Sequence, residues 1–336
     1  MVEKSKFATA AAVLALWMIG AGIPARAIER ATVAIPAVSP SFVVQAVADD
    51  HDLWAKYGVD LKSVAVPGVG AVNAVLSGSV DFAESAAASP LRAARSGQHL
   101  LIIATLMDRL YVQLVMRRTL LEAASFDPTA SLAARVKVLP GRTIAVEAIG
   151  GAAFAYLRVL AALGGFGPDD VRVAPMLQSS MEAAFAANAI DGFVAGPPYS
   201  AGPVDAGAGL VVASGPDGDP DSMVPFGYIV MLTRPELCTK RRALCVGIGH
   251  ALREAAAYVC DNPDGAAASV KKRFPTLDRA IFRTTMKAVL NGTPRIPVTS
   301  AAELEHADLF NVAAGLTKPE QKRTSYDDLF TNEYIR

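Results

Sequence analysis

Short apolar runs alternate with helical patterns along most of the chain. Residues 31–35 (ATVAI) form a β-rich run, and apolar positions then recur at helical spacing over residues 42–49. Residues 59–66 alternate between apolar and polar side chains, and residues 100–106 (LLIIATL) form a continuous apolar run typical of a strand buried on both faces. Because strands that alternate with helices form parallel sheets covered by helices, this pattern predicts an α/β fold.

A second set of elements repeats this plan from residue 143. Residues 143–147 predict a strand and residues 152–163 a helix, and the segment AANAIDG at 186–192 corresponds to LSGSVDF at 76–82. The interval from Val33 to Asp81 is 48 residues, and the interval from Ile144 to Asp191 is 47. The sequence therefore predicts two lobes with the same β-α-β-α-β order.

Two predicted strands connect the lobes. Residues 110–117 leave the first lobe, residues 226–232 return to it, and the chain beyond residue 236 is mostly helical in pattern. A chain that crosses to a second lobe and returns forms two crossovers, a hinge geometry suited to closing on a ligand. We expect residues 28–114 and 229–336 to form the first lobe and residues 115–228 the second.

The first 27 residues have the pattern of a secretory signal peptide. Lys4 and Lys6 precede an apolar run over residues 7–23, and Ala25-Arg26-Ala27 supplies the small residues that signal peptidase requires. The run is interrupted by glycines and is shorter than the roughly 20 uniformly apolar residues of a membrane anchor. The sequence predicts export to the periplasm, with cleavage after Ala27.

Three cysteines lie close together in the sequence. In an oxidising compartment Cys238 and Cys245 can form a disulfide if Cys238 lies in a loop, because a continuous helix would hold their Cα atoms about 10 Å apart. Cys260 falls in an apolar helical pattern, which favours a buried, inert thiol.

Charge and motifs exclude several functions. The chain has 32 basic and 32 acidic residues, so it lacks the positive surface that a nucleic acid would need. It contains no P-loop, dinucleotide-binding, HExxH or GxSxG motif. Its four histidines are far apart in sequence, with no nucleophile or carboxylate at a recognisable spacing. We expect neither catalysis nor a bound metal or cofactor.

Candidate ligand contacts lie where the predicted strands end. In open α/β sheets, ligands bind outside the carboxyl ends of the strands, beside helix N-termini. These positions carry mostly small residues, whose backbone N–H groups can face a ligand or simply form tight turns. The candidates are Ser39, Ser41, Gly70, Ala71, Glu84, Ser85, Arg109, Glu147, Gly150, Gly151, Pro197 and Tyr199.

Glu84 and Glu147 stand at corresponding places in the two lobes, either as ligand contacts or as structural groups. Arg109 can bind an anionic group with two hydrogen bonds or neutralise one of these glutamates. Two carboxylates facing one guanidinium would favour a ligand with a cationic or amide donor. Tyr111, Tyr199, Phe226 and Tyr228 can form flat apolar walls or belong to the core.

Several segments follow one another in a characteristic order: LWAKYGVDL (53–61), PGVGA (67–71), LSGSVDF (76–82), LPGRTIAV (139–146) with Gly150-Gly151, and GPPY (196–199). In this order they resemble the nitrate/sulfonate/taurine substrate-binding proteins of ABC importers. That family has similar motifs, F-x-K-x-G-L-x-V, A-L-x-S-G-x-V-D and L-K-G-K-x-I-A-V, and usually W-E-P-Y where this chain has GPPY. The resemblance covers residues from about 31 to 235.

The resemblance implies a type II periplasmic binding fold, in which two α/β lobes joined by two hinge crossovers close over a small molecule and deliver it to an inner-membrane permease. We expect a monomer. The ligand stays open among a sulfonate, a carboxylate and a nitrogenous, pyrimidine-like compound, because Ala195-Gly196 replaces the usual Trp-Glu and Glu84 stands at a usually apolar position.

Two other functions fit the same fold. The chain could be a ligand sensor or adaptor for a membrane protein. It could also be an enzyme resembling the pyrimidine-precursor synthases of thiamine biosynthesis, although the Cys and His cluster of those enzymes is missing from this sequence.

Overall fold

The computed structural model describes residues 28–68 and 70–336, and the predicted signal peptide lies outside them. The described residues form ten strands and fourteen α-helices. The strands are β1 (Glu29–Ile35), β2 (Val59–Ala65), β3 (Phe82–Ser85), β4 (Leu101–Met107), β5 (Gln113–Arg117), β6 (Thr143–Val146), β7 (Arg172–Pro175), β8 (Gly192–Ala195), β9 (Gly209–Ser214) and β10 (Ile229–Thr233).

The helices lie mostly where helical periodicity predicts them. They are α1 (Val43–Asp50), α2 (Leu53–Lys56), α3 (Gly70–Leu76), α4 (Ala88–Arg95), α5 (Arg118–Ala123), α6 (Leu132–Arg135), α7 (Ala152–Leu163), α8 (Gln178–Ala186), α9 (Ala201–Asp205), α10 (Pro235–Lys240), α11 (Arg242–Asp261), α12 (Pro263–Arg273), α13 (Arg279–Gly292) and α14 (Ala301–Ala313). No described helix has the length and apolar character needed to cross a membrane.

The strands form two five-stranded sheets, ordered β2-β1-β3-β10-β4 and β7-β6-β8-β5-β9. In the first sheet β10 runs antiparallel to its neighbours, and in the second β5 does. Both sheets are therefore mixed, whereas the alternating pattern predicted parallel ones. The reason is that β5 and β10 each enter directly from the other lobe, while parallel neighbours need a longer crossover, usually a helix.

The two crossovers bring the strand ends of both sheets to the same place. Met107, at the end of β4, pairs with Ile229 at the start of β10, and Gln113, at the start of β5, pairs with both Ala195 and Ser214. Residues 108–112 and 215–228 span the gap between the sheets. The loops after the parallel strands of one lobe therefore face those of the other.

The internal repeat has a structural counterpart in two aspartates. Asp81 accepts a hydrogen bond from the Thr32 backbone N–H at 2.9 Å, and Asp191 accepts one from the Thr143 N–H at 2.8 Å. In each lobe the aspartate's own N–H donates back to the same threonine's carbonyl oxygen. Gly78 and Asn188 precede them in the same left-handed conformation, with φ of 79° and 59°. Each aspartate therefore ties the turn before its own strand, β3 or β8, to the neighbouring parallel strand, β1 or β6.

We expect Asp81→Ala and Asp191→Ala each to lower the free energy of unfolding by about 1.5 kcal/mol, because each removes a charge-assisted hydrogen bond and leaves a strand N–H without its partner. Urea denaturation measures the change. Asp60→Ala, at an exposed position on β2, is the control. Losses below about 0.5 kcal/mol would show that these two bonds do not stabilise the turns.

The C-terminal helices pack against both lobes. Helix α14 lies against α4 of the first lobe and α7 of the second, and α13 contacts both the turn at Pro40–Phe42 and α9. Phe226 in the second crossover packs edge-on against Phe310 of α14, with ring centroids 5.0 Å apart. One hydrophobic core accordingly runs from the first lobe through the crossovers into the second.

Two local predictions differ from the structure. Strand β9 at the edge of the second sheet was not predicted; its six residues (GLVVAS) lie between two glycine-containing turns. Cys238 lies in α10 rather than in a loop, yet it is bonded to Cys245 with their Cα atoms 5.5 Å apart. A break in the helix at Arg241, where ψ is 55°, permits this approach. Cys260 on α11 is a free, partly buried thiol.

Candidate functional site

Two serines line the first-lobe side of the cleft between the facing loops. Ser39 caps the turn at Pro40–Phe42, and its Oγ accepts hydrogen bonds from the Ser41 N–H at 3.3 Å and from the Ser41 Oγ at 2.9 Å. Among the contacts of the described residues, the Ser39 hydroxyl donates none. Gly70 and the buried Ala71 begin α3 after the neighbouring strand β2. This side therefore offers hydroxyl and backbone groups without charge.

Glu84 lies at the end of β3, opposite Met231 of β10, and is completely buried. Neither carboxylate oxygen has a hydrogen-bond partner among the described residues. Burial raises the pKa of Glu84 to about 8, and the charge of Asp49 acts in the same direction. The next residue, Ser85, donates through its hydroxyl to the Ala86 carbonyl at 3.3 Å. Glu84 is thus a buried acid without a partner at the edge of the cleft.

The second-lobe side begins with Glu147, directly after β6. Its side chain is exposed and accepts a hydrogen bond from the Gln178 Nε2 at 2.9 Å. Gly150, with φ of 81°, and Gly151 lead into the twelve-residue helix α7, whose N-terminus is directed to the same loop cluster. The positive end of this helix dipole and an exposed carboxylate thus lie within a few residues of each other.

Two tyrosines of the crossovers, called the floor tyrosines, lie beneath the cleft, where Tyr111 is buried and Tyr228 is partly buried. The rings of Tyr111 and Tyr228 lie 6.4 Å apart between centroids, tilted by 49°. The Tyr111 hydroxyl donates to the Pro197 carbonyl at 3.0 Å, which ties the first crossover to the loop after β8. Burial raises the pKa of both phenols, and the Glu147 charge adds to the effect on Tyr228. Both phenols are therefore neutral, and the hydrogen bond of Tyr111 connects the first crossover to the second lobe.

Arg109 lies apart from the two glutamates. Its guanidinium is next to Gly218 in the second crossover, where an added Cβ would lie 3.2 Å from Nη1. Among the described residues, it forms no ion pair with Glu84 or Glu147, so in this structure it does not neutralise either of them. Phe226 belongs to the core rather than to a cleft wall, while Tyr199 is on the exposed side of the loop after β8.

No group of three or more His, Cys, Asp or Glu side chains within residues 28–68 and 70–336 is arranged to hold a metal ion. The histidines lie outside the loops at the strand ends. His306, on α14, contacts the Pro225 carbonyl through Nδ1 at 2.6 Å and so belongs to the packing around the second crossover.

The family model described as NMT1/THI5 like matches residues 39–266, which is more than half of the chain. The chain belongs to this family. The family range begins at Ser39 and includes both crossovers, so it spans the cleft from the first-lobe serines to the floor tyrosines. No curated protein matches the sequence.

Solved structures share the fold. A protein of Bordetella bronchiseptica superposes with a TM-score of 0.73 at 16% identity, covering 92% of this chain and 96% of that one. The alkanesulfonate-binding protein SsuA of Xanthomonas axonopodis, bound to MOPS, gives 0.68 at 17% identity and covers 91% and 99%. The periplasmic nitrate-binding protein NrtA of Synechocystis gives 0.65 at 16% and covers 91% and 87%. The two-lobed periplasmic binding fold and the resemblance predicted from sequence are thereby confirmed.

One polar network of this family member was not predicted from its sequence. The Ser200 hydroxyl donates to the Gln113 Oε1 at 2.8 Å, and the Gln113 Nε2 donates to the Ser214 Oγ at 3.0 Å. These bonds fix the N-terminus of α9 and the end of β9 to the start of β5. Gln178, the partner of Glu147, was likewise missed. No local motif marks such residues, because their partners are distant in sequence.

Proposed function

We propose that this chain is the solute-binding component of an ABC importer. It captures a small organic solute between its two lobes and delivers it to a permease in the inner membrane. The observation that carries the proposal is the cleft itself: two rows of strand-end loops face each other across two crossovers, and these loops carry hydroxyl, backbone and carboxyl groups. Relatives of the same fold, SsuA and NrtA, are binding proteins for alkanesulfonates and nitrate, which supports this role.

The proposed ligand contacts come from both lobes. We propose boundaries between residues 114 and 115 and between 228 and 229, so that the serines and Glu84 belong to the first lobe and Glu147 to the second. Arg109 joins the proposed contacts if closure of the lobes moves its guanidinium away from the turn at Gly218. The other proposed contacts are Ser39, Ser41, Gly70, Ala71, Glu84, Ser85, Glu147, Gly150, Gly151, Pro197 and Tyr199.

We propose a periplasmic location for the mature chain, as for the relatives named periplasmic. Expressed with its own N-terminus in a Gram-negative host, the protein is expected in the periplasmic fraction and, by intact mass, to begin at Ile28. We also expect a monomer by light scattering. A cytoplasmic protein that keeps residues 1–27 would contradict the proposed export.

The binding proposal is tested by titrating the mature chain, freed of co-purified solutes, with nitrate, alkanesulfonates, carboxylates, pyrimidines and amines. We expect one solute class to bind with 1:1 stoichiometry by calorimetry and to reduce the radius of gyration in X-ray scattering, because closure brings the lobes together. The bound solute should be recovered chemically unchanged. Recovery of a converted product would instead support an enzyme.

Import and sensing are separated in cells. Deleting the gene should abolish uptake of the bound, isotope-labelled solute, and restoring it should recover uptake. If uptake persists while a transcriptional response to the solute is lost, the chain is a sensor or adaptor for a membrane protein and the importer proposal is wrong.

A further inference from the structure

We propose that the cleft binds an organic cation with an apolar body, such as an ammonium group attached to an aliphatic or aromatic moiety. This inference rests on the proposed function and specifies its ligand class. It distinguishes the chain from relatives of the same fold that bind the anions nitrate and alkanesulfonate. Charge, aromatic surface and exposed apolar side chains support it independently.

The loops that border the cleft carry an excess of acidic residues. Between the carboxyl ends of the parallel strands and the following helices, and in the two crossovers, the sequence places five acidic residues and one basic residue, Arg109. The acidic ones are Asp108, Glu147, Asp217, Asp219 and Asp221. Asp219 is paired with Arg135 at 2.9 and 3.1 Å, and the charge of Arg109 acts on its neighbour Asp108. An anionic ligand would therefore enter a cleft whose loops carry a net negative charge, with Arg109 as their one basic residue.

Glu147 and the floor tyrosines together form the kind of surface that attracts a cation. The carboxylate of Glu147 is exposed and has an amide donor, Gln178, but no cationic partner among the described residues. It is close enough to Tyr228 for its charge to act on the phenol. The ring of Tyr111 lies beside that of Tyr228. A positive group beside Glu147 would gain an ion pair with the carboxylate and the attraction of the partly exposed Tyr228 ring.

Glu84, on the opposite lobe, is a completely buried carboxyl group beside the loop that borders the cleft. Both of its oxygens are buried without a donor among the described residues, although buried polar groups are normally hydrogen-bonded. Glu84 lies one residue before Ser85 and the loop that borders the cleft. Because this carboxyl is completely buried and burial raises its pKa to about 8, it is mostly protonated at pH 7.5, and the negative charge that faces a ligand comes from Glu147.

Apolar side chains stand exposed on four of the loops around the cleft. Val38 follows β1, Ile149 follows β6, Leu177 follows β7 and Tyr199 follows β8, and their exposed fractions are 77%, 60%, 69% and 37%. Three belong to the second lobe and one to the first. Because large exposed apolar side chains clustered at one site mark a binding surface, a ligand with an apolar body would bury them on closure.

The test uses probes matched in size and different in charge. Phenethylammonium, phenethyl alcohol and phenylacetate form one set, and butylammonium, butanol and butane-1-sulfonate form another. Calorimetry at pH 7.5 on the mature chain compares their affinities. We expect the cation to bind most tightly in each set. Glu147→Gln should weaken cation binding about tenfold, the equivalent of about 1.4 kcal/mol, because the exposed carboxylate is lost but the shape is kept. Glu122→Gln, on the outer helix α5, should leave it unchanged.

Each result decides a different question. If phenylacetate or butane-1-sulfonate binds more tightly than its cationic counterpart, the cation inference is overturned while the proposed function stands. If a cation binds best but Glu147→Gln has no effect, the ligand class holds and the assigned site is wrong. If no probe of any charge, and none of the nitrate, carboxylate and pyrimidine solutes, binds up to about 10 mM, the proposed function fails together with this inference.

Discussion

Replacing Glu84 with leucine is expected to raise the free energy of unfolding by about 5 kcal/mol above pH 8. Burial raises the pKa of this carboxyl from its ordinary value of 4.5 to about 8. Each unit of pKa corresponds to about 1.4 kcal/mol, so the interval represents about 5 kcal/mol of unfavourable free energy when the folded chain is ionised. Leucine is similar in size and removes both the charge and the unpartnered oxygens.

The direction of the pH dependence follows from the proton balance. The unfolded chain releases the Glu84 proton near pH 4.5, whereas the folded chain keeps it until about pH 8. Between these values the unfolded state binds fewer protons, so Glu84 makes stability fall by about 1.4 kcal/mol per pH unit, and above pH 8 the loss is constant. Glu303 acts in the same direction, because burial raises its pKa to about 7 despite a hydrogen bond from Thr105.

Urea denaturation from pH 4 to pH 9 measures this effect. The wild-type curve should fall more steeply with pH than that of Glu84→Leu, and the two should differ least near pH 4. Glu122→Gln should follow the wild type at every pH, because its side chain is exposed on α5. Parallel curves for wild type and Glu84→Leu would mean that the carboxyl finds a donor in solution and that its burial does not lower stability.

The fold could be predicted from sequence because its information is local and repeated. Apolar alternation predicted most strands, and the match between LSGSVDF and AANAIDG predicted the second lobe, with Asp81 and Asp191 making the same hydrogen bonds. The strand directions of β5 and β10 and the edge strand β9 could not be read in the same way. They depend on how the chain crosses between sheets, which no local pattern records.

The candidate site was predicted in outline only. The rule that ligands bind at strand ends predicts Glu84, Glu147 and the glycine turns as neighbours of one cleft, and this set stays a prediction. It could not show that Glu84 is completely buried or that Arg109 lies beside Gly218. Both outcomes follow from contacts across more than 100 residues of sequence, which the spacing of motifs does not contain.

Gly196→Ala is expected to lower the free energy of unfolding by about 3 kcal/mol and to weaken solute binding. An added Cβ would lie 2.5 Å from the Tyr111 carbonyl oxygen and 2.8 Å from its ring. Both belong to the first crossover, so relief requires moving either that crossover or the loop that ends in Tyr199. Overpacking of this kind costs about 1–3 kcal/mol in well-packed interiors. We expect the upper end of this range for Gly196→Ala, because the added Cβ meets a backbone oxygen, which cannot rotate away as a side chain can.

Gly167→Ala is the matched control, because an added Cβ there meets only the Asp170 carboxylate at an ordinary 3.6 Å. It should leave unfolding and solute binding within error of the wild type. If Gly196→Ala lost stability but kept its affinity, the Tyr111–Pro197 contact would stabilise the fold without shaping the cleft. If it lost neither, the crossover would have enough freedom to move away, and a rigid floor made by Tyr111 and Tyr228 would be excluded.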